Sequence, residues 1–131
     1  MISFFVTALA GLLVFSTQAR AEDWKVVWKD DMQELRVDRD SIQVSGAQVE
    51  YWYSDTVDAL VDIMEHRFYA VSDCGNNQMR LVQVYEPASG QTNPVKESEW
   101  KTLPYNPDDP VTVMHYEVCR DYGKPGISSE S

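Results

Sequence analysis

Phe68-Tyr69-Ala70-Val71-Ser72-Asp73-Cys74-Gly75-Asn76-Asn77-Gln78-Met79-Arg80-Leu81-Val82-Gln83-Val84-Tyr85 is the stretch on which the fold turns. Two strand-like runs, 68–74 and 79–85, flank Gly75-Asn76-Asn77, whose residue types tolerate positive φ, so the segment reads as a β-hairpin. Cys74 ends the first run, and any bond it makes ties a second element to this hairpin.

Working upstream, Trp24, Val26 and Trp28 alternate with Lys25, Val27 and Lys29, the period of two of a half-buried strand. A second short run lies near Glu34 to Asp38. Ile42 and Val44, then Val49, Tyr51 and Tyr53, are divided by Ser45-Gly46, so Asp40 to Tyr53 reads as another hairpin. Downstream, Pro87 to Gly90 is a turn, and Gln91 to Glu97 adds an edge strand because Pro94 cannot donate to a central ladder.

The period then changes. Val111, Met114, Val118, Cys119 and Tyr122 fall at i, i+3, i+7, i+8 and i+11, one face of a helix. Asp109 can cap its first amides, Pro110 suits its first position, and Gly123 with Pro125 stops it. The expected fold is α+β: an antiparallel β-sheet of about six strands packed against one C-terminal α-helix, in a single domain over residues 22–123.

Residues 1–21 read as a cleavable signal peptide. Phe4 to Phe15 is almost wholly apolar, the length of a signal h-region and too short to span a bilayer of about 30 Å. Ala19-Arg20-Ala21 places small residues where a signal peptidase reads, so the mature chain should begin at Glu22. No Lys or Arg precedes the apolar run, which leaves the α-amino group as the n-region charge. The residue after the cleavage site is Glu22 and not a cysteine, which argues for a soluble periplasmic or secreted protein over a lipid-anchored one. The tail 124–131 has little to bury and is expected to be disordered.

Cys74 and Cys119 are the two cysteines of the chain. In an oxidising compartment they make one disulfide; without a CxxC motif or an adjacent histidine they make a poor zinc or redox site. Because Cys119 lies in the apolar stripe, that bond should tie the helix to the 68–74 strand.

Loss of the leader removes Arg20 alone from the 11 basic residues, leaving ten against 21 acidic ones and a net charge of −11. Such a surface repels nucleic acid and heparin-like polyanions, so a protein partner should be basic at its contact.

The sequence presents no recognisable catalytic residue, metal site or cofactor motif. There is no GxSxG elbow, HExxH helix, glycine-rich phosphate loop or DxDxDG calcium loop. His66 and His115 are the candidate bases near neutral pH, and neither has a sequence-local nucleophile. If Asp55 caps a helix through Met64, its apolar face is Val57, Leu60, Val61 and Met64, while Asp58, Asp62 and His66 share another face at i, i+4 and i+8. That face is either a cation site or, the commoner use, a solvated acidic surface. Asp38 and Asp40 read either as paired carboxylates or as an Asx-type turn leading into Ile42. Trp52 must lie on the opposite strand face from Tyr51 and Tyr53. The usual outcome is core on one side and a covering helix on the other, the sharper one an exposed aromatic binding patch. No ligand-binding residue is assigned from sequence.

An early Trp-rich strand, Val37-Asp38-Arg39-Asp40-Ser41-Ile42, an aromatic strand at Val49 to Tyr53, Asp73-Cys74 followed by Arg80, Ser89-Gly90, Trp100 before Pro104, and Val118-Cys119 occur in this order. In these features, which span nearly the whole mature chain, the sequence resembles the bacterial surface-adhesin protein E family. The resemblance implies an antiparallel sheet against a C-terminal helix, a loop or strand near residues 55–64, and a non-enzymatic exported protein. In the best-known member it implies adhesion to host extracellular proteins. It carries over no binding residue. Three readings follow: an adhesin-like protein-binding domain, a periplasmic inhibitor or scavenger of a basic protein such as lysozyme, and a hydrolase of unrecognised type.

Overall fold

A computed structural model describes residues 22–58 and 63–123. The leader over 1–21, the tail over 124–131, and Leu60, Val61 and Asp62 lie outside the described residues.

Eight strands form one antiparallel sheet: β1 (Trp24–Lys29), β2 (Gln33–Asp38), β3 (Gln43–Ser45), β4 (Gln48–Asp58), β5 (Ile63–Asp73), β6 (Gln78–Glu86), β7 (Gln91–Pro94) and β8 (Lys101–Thr102). The main path runs β8-β6-β5-β4-β2-β1. β3 follows β2 along the same edge of β4, and β7 and β8 share the far edge of β6, so six strand positions hold eight segments. This is the α+β architecture expected from the alternating runs, completed among the described residues by one α-helix, α1 (Pro110–Tyr122).

The centre of the sheet is the β4–β5 hairpin, paired without interruption from Gln48↔Asp73 to Asp58↔Ile63. The helix considered over Asp55–Met64 is therefore absent from its described part: Asp55 to Asp58 continue β4, and Ile63 and Met64 begin β5. Non-local pairing overrides a local 3.6-residue pattern here, because each residue gains a cross-strand neighbour that an isolated turn of helix would lack. Asp55 also accepts from Gln33 Nε2 at 2.9 Å, and the Asp58 amide donates to the Met32 carbonyl at 2.8 Å. The second hairpin joins β5 to β6 with Asn77 at φ 50° in its turn, a conformation asparagine tolerates better than most residues.

Helix α1 starts as its caps dictate. Asp109 accepts from the Val111 amide at 3.1 Å, and Pro110 occupies the first turn. It lies across β1, β4 and β5, where Met114 and Val118 meet Leu35, Val37, Val49, Tyr51 and Ala70 in the core. Lys25 on β1 reaches Glu117 and Asp121 of the helix at 3.5 and 3.6 Å. Cys74 and Cys119 are disulfide-bonded, with Cα atoms 5.6 Å apart, so the helix is stapled to the end of β5.

Candidate binding face

Alternation along the central strands sorts the side chains onto two faces. Tyr51 and Tyr53, opposite Ala70 and Phe68, point toward α1 and are buried. Trp52, opposite Tyr69, points the other way and is half-buried. The expectation of core on one side and a covering helix on the other is thus corrected: core and helix share the Tyr51 face. The reason is that the stripe of α1 and the inward residues of the sheet bury each other, and the chain has only one helix among the described residues.

Among the described residues no helix covers the face opposite α1, and it is rich in aromatic rings. Trp52 and Tyr69 have centroids 5.4 Å apart. The Tyr69 hydroxyl donates to Glu50 Oε1 at 2.5 Å; partial burial and this carboxylate push its pKa up to about 12, so it stays a donor. Beside them the Arg67 guanidinium lies 5.3 Å from the Trp24 ring and 5.6 Å from the Tyr85 ring, with Nε 3.1 Å from Glu65. Trp24 Nε1 donates to Glu22 at 3.0 Å.

Two adjoining depressions mark this face. The larger, about 590 Å³, is walled by Asp38, Asp40, Ser41, Trp52, Tyr69 and Gln83. The smaller, about 390 Å³, contains Trp24, Arg67 and Tyr85, and again Asp38 and Trp52. The wall they share is built by the sequence Asp38-Arg39-Asp40-Ser41. Asp38 caps a 3-10 turn over Arg39–Ser41: its Oδ1 accepts from the Asp40 amide at 3.1 Å and from the Asp23 amide at 2.9 Å. The Asx-type reading of Asp38 and Asp40 is the observed one. Ser41 Oγ then donates to the Asp38 carbonyl at 2.7 Å and accepts from the Trp52 amide at 2.9 Å, which fixes Trp52 against the turn.

The other residues singled out from sequence do not join this site. Asp58 is opposite Ile63, whereas His66 is opposite Asp55, which places Asp58 and His66 on opposite faces of the sheet; Asp62 is not described. The cation site considered for the three therefore does not form through Asp58 and His66, because strand alternation separates residues that a helix would have aligned. His66 Nε2 instead sits 3.6 Å from Glu86. Among the described residues, no group of three His, Cys, Asp or Glu could hold a metal ion.

His115 is fully buried on the helix side. Its Nδ1 lies 2.9 Å from Ser72 Oγ, which in turn is 2.7 Å from the Tyr51 hydroxyl. Burial lowers the His115 pKa to about 4, so the ring is neutral near pH 7. A serine beside a histidine suggests nucleophilic chemistry, yet Ser72 and His115 are both 0 % exposed. Sequence reasoning missed Asp38 as the common wall of two depressions. The available signal was its neighbourhood: a capping Asp one pairing step from an aromatic strand.

No protein-family model matches the chain, and no curated protein does. Among solved structures, crystal form II of Haemophilus influenzae protein E is similar, with a TM-score of 0.54 and 21% identity over 86% of this chain and 98% of that one. A further structure of Haemophilus influenzae protein E has a TM-score of 0.53 at 21% identity, covering 85% of this chain and 93% of its own. The chain thus has a protein E-like fold.

Proposed function

We propose that this chain is an exported, non-enzymatic protein-binding domain whose open sheet face docks on a basic protein surface. The observation that carries the reading is the set of aromatic side chains, Trp24, Trp52, Tyr69 and Tyr85, gathered on the face that α1 leaves uncovered. Aromatic rings with a polar tip are among the side chains that dominate binding energy at protein interfaces. Their acidic surroundings, in a chain of net charge −10 before leader removal, favour a basic partner. The resemblance to surface adhesins supports a host extracellular protein as that partner, and the disulfide supports an oxidising compartment.

The same acidic aromatic face supports a second reading, capture of a basic protein such as lysozyme in the periplasm. A hydrolase needs a nucleophile open to substrate, and the buried Ser72–His115 pair gives that reading no support.

Capture tests the proposal. Mature protein beginning at Glu22 is immobilised and offered host matrix proteins, periplasmic extract and lysozyme, with inhibition of lysozyme measured in parallel. Specific retention should be lost in Gln83→Arg, which puts a cation into the exposed floor of the open face, and kept in Thr102→Arg on the far edge. Retention unaffected by Gln83→Arg would move the contact elsewhere. Lysozyme inhibition without matrix binding would select the second reading.

A further inference from the structure

We infer that the larger depression on the open face is a socket for one cationic side chain of the partner, an arginine guanidinium by preference. This rests on the docking proposal and names the chemistry at its centre.

Asp38 is the first ground. Most of the residue is buried and its Oδ1 is engaged by the amides of Asp23 and Asp40, while among the described residues no hydrogen bond reaches Oδ2, which keeps contact with solvent. A carboxylate oxygen that faces a depression with no donor of its own is the acceptor that a charge-assisted hydrogen bond from a partner would use. That residue forms the wall of the depression, with the carboxylate-bearing Asp40 exposed beside it.

The neighbouring depression supplies the second ground. There the sheet has assembled two aromatic rings, Trp24 and Tyr85, around its own Arg67, held by Glu65. The larger depression repeats the ingredients, with Trp52 and Tyr69 for rings and Asp38 and Asp40 for carboxylates, but no Lys, Arg or His lines it. Arg39, the nearest cation in sequence, is turned away onto Asp23, at 2.8 and 3.0 Å. A planar guanidinium can stack on an indole face while donating in its plane to a carboxylate, which an ammonium cannot do as well. Ser41, Gln43 and Gln83 add neutral polar groups around the rim.

The probe is a pair of blocked single residues, N-acetyl-arginine methylamide and its neutral isostere N-acetyl-citrulline methylamide, titrated into 15N-labelled mature protein. The Trp52 indole and amide signals should shift saturably with the arginine probe. The citrulline probe should require at least about tenfold more, the scale of one charge-assisted hydrogen bond. Asp38→Asn keeps an oxygen to accept from both amides, so the turn can form; it and the exposed Asp40→Asn should each weaken the arginine probe several-fold. Equal binding of the two probes, shifts confined to Trp24 and Tyr85, or unchanged affinity in both Asn variants would each overturn the socket. If Gln83→Arg abolishes partner capture while the probes fail in this way, the face docks its partner without a socket; if the probes behave as expected and capture ignores Gln83→Arg, the docking proposal fails and the cation site remains.

Discussion

His115 Nδ1 lies 2.9 Å from Ser72 Oγ between helix α1 and strand β5, with neither side chain exposed to solvent. This contact carries the Tyr51–Ser72–His115 chain through the core, and His115 Nε2 is 3.9 Å from the disulfide sulfur of Cys119. Polar groups in such a place specify one arrangement of helix on sheet, since any other would leave buried donors or acceptors without partners.

Stability should fall on mild acidification. Burial lowers the His115 pKa to about 4 against 6.5 for an ordinary histidine, the nearby Asp73 carboxylate opposing the shift only in part. The unfolded chain therefore binds this proton between pH 6.5 and 4 while the folded chain does not. The His115 contribution is fully present above pH 6.5 and is lost as pH falls toward 4, by about 3 kcal/mol. Urea midpoints at pH 7.5 and 4.5, compared with those of His115→Gln, check this; an equal pH response in the two proteins would refute it.

Removing the staple should cost more than any single surface change. The Cys74–Cys119 bond closes a loop with a sequence separation of 45, for which chain-entropy reasoning gives about 4 kcal/mol. Cys74→Ala with Cys119→Ala should lower the denaturation midpoint under non-reducing conditions by about 2–5 kcal/mol, the range for native disulfides in small secreted domains. Free thiols titrating in the unfolded, unreduced protein would contradict the bond.

Gly123 is required by proximity. Its φ of −69° suits any residue, but a Cβ there would stand 2.5 Å from the Cys119 carbonyl oxygen and 3.3 Å from Cys74 Sγ. Its amide also closes the helix onto Cys119 O at 2.8 Å. Gly123→Ala must push the last turn of α1 away from the disulfide, a crowding cost of about 1–3 kcal/mol. Thermal denaturation of this variant, with Gly90→Ala as a comparison in open space, measures the difference between steric and conformational demands.

The elements that were legible in the sequence are those whose signals are local. Asp109, Pro110 and Gly123 bracket α1, and the aromatic alternation of Val49 to Tyr53 marks β4, because caps and side-chain period act within a few residues. Asp55 to Asp58 misled for the opposite reason: Val57 and Met64 sit at helical spacing, but their conformation is decided by pairing with each other across the β4–β5 ladder. The candidate face was half legible. Alternation separates Trp52 from Tyr51 on any strand, whereas which of the two meets the helix depends on how α1 crosses the sheet. Asp38 was readable as a turn former, but its place between two depressions arises only when β2 and β3 line up along one edge of β4.

The mature chain should begin at Glu22 and be recovered from the periplasm or the medium. Intact-mass measurement of the exported protein decides this. A chain retaining residues 1–21 in the cytoplasm would remove the compartment in which the proposed partner is met.

Association with the captured partner should slow as salt rises. With 21 acidic residues against 11 basic ones in the whole chain, the long-range field is negative and accelerates encounter with a basic surface. Exposed charges are screened over about 8 Å at physiological ionic strength, so added sodium chloride weakens steering before it weakens short-range contacts on the aromatic face. The association rate constant should therefore fall steeply across a salt series while the dissociation rate constant changes less. Gln83→Arg should behave differently from Thr102→Arg in this series, since each adds the same charge but only Gln83 lines the larger depression, Thr102 lying at the far edge of the sheet outside both. Both should lower the association rate by a similar, salt-dependent amount through net charge, and Gln83→Arg alone should raise the dissociation rate. Immobilised heparin and duplex DNA, as polyanions, should retain none of the three proteins near physiological salt. Retention on heparin, or an association rate that climbs with salt, would mean that a local basic patch or a purely apolar contact governs encounter.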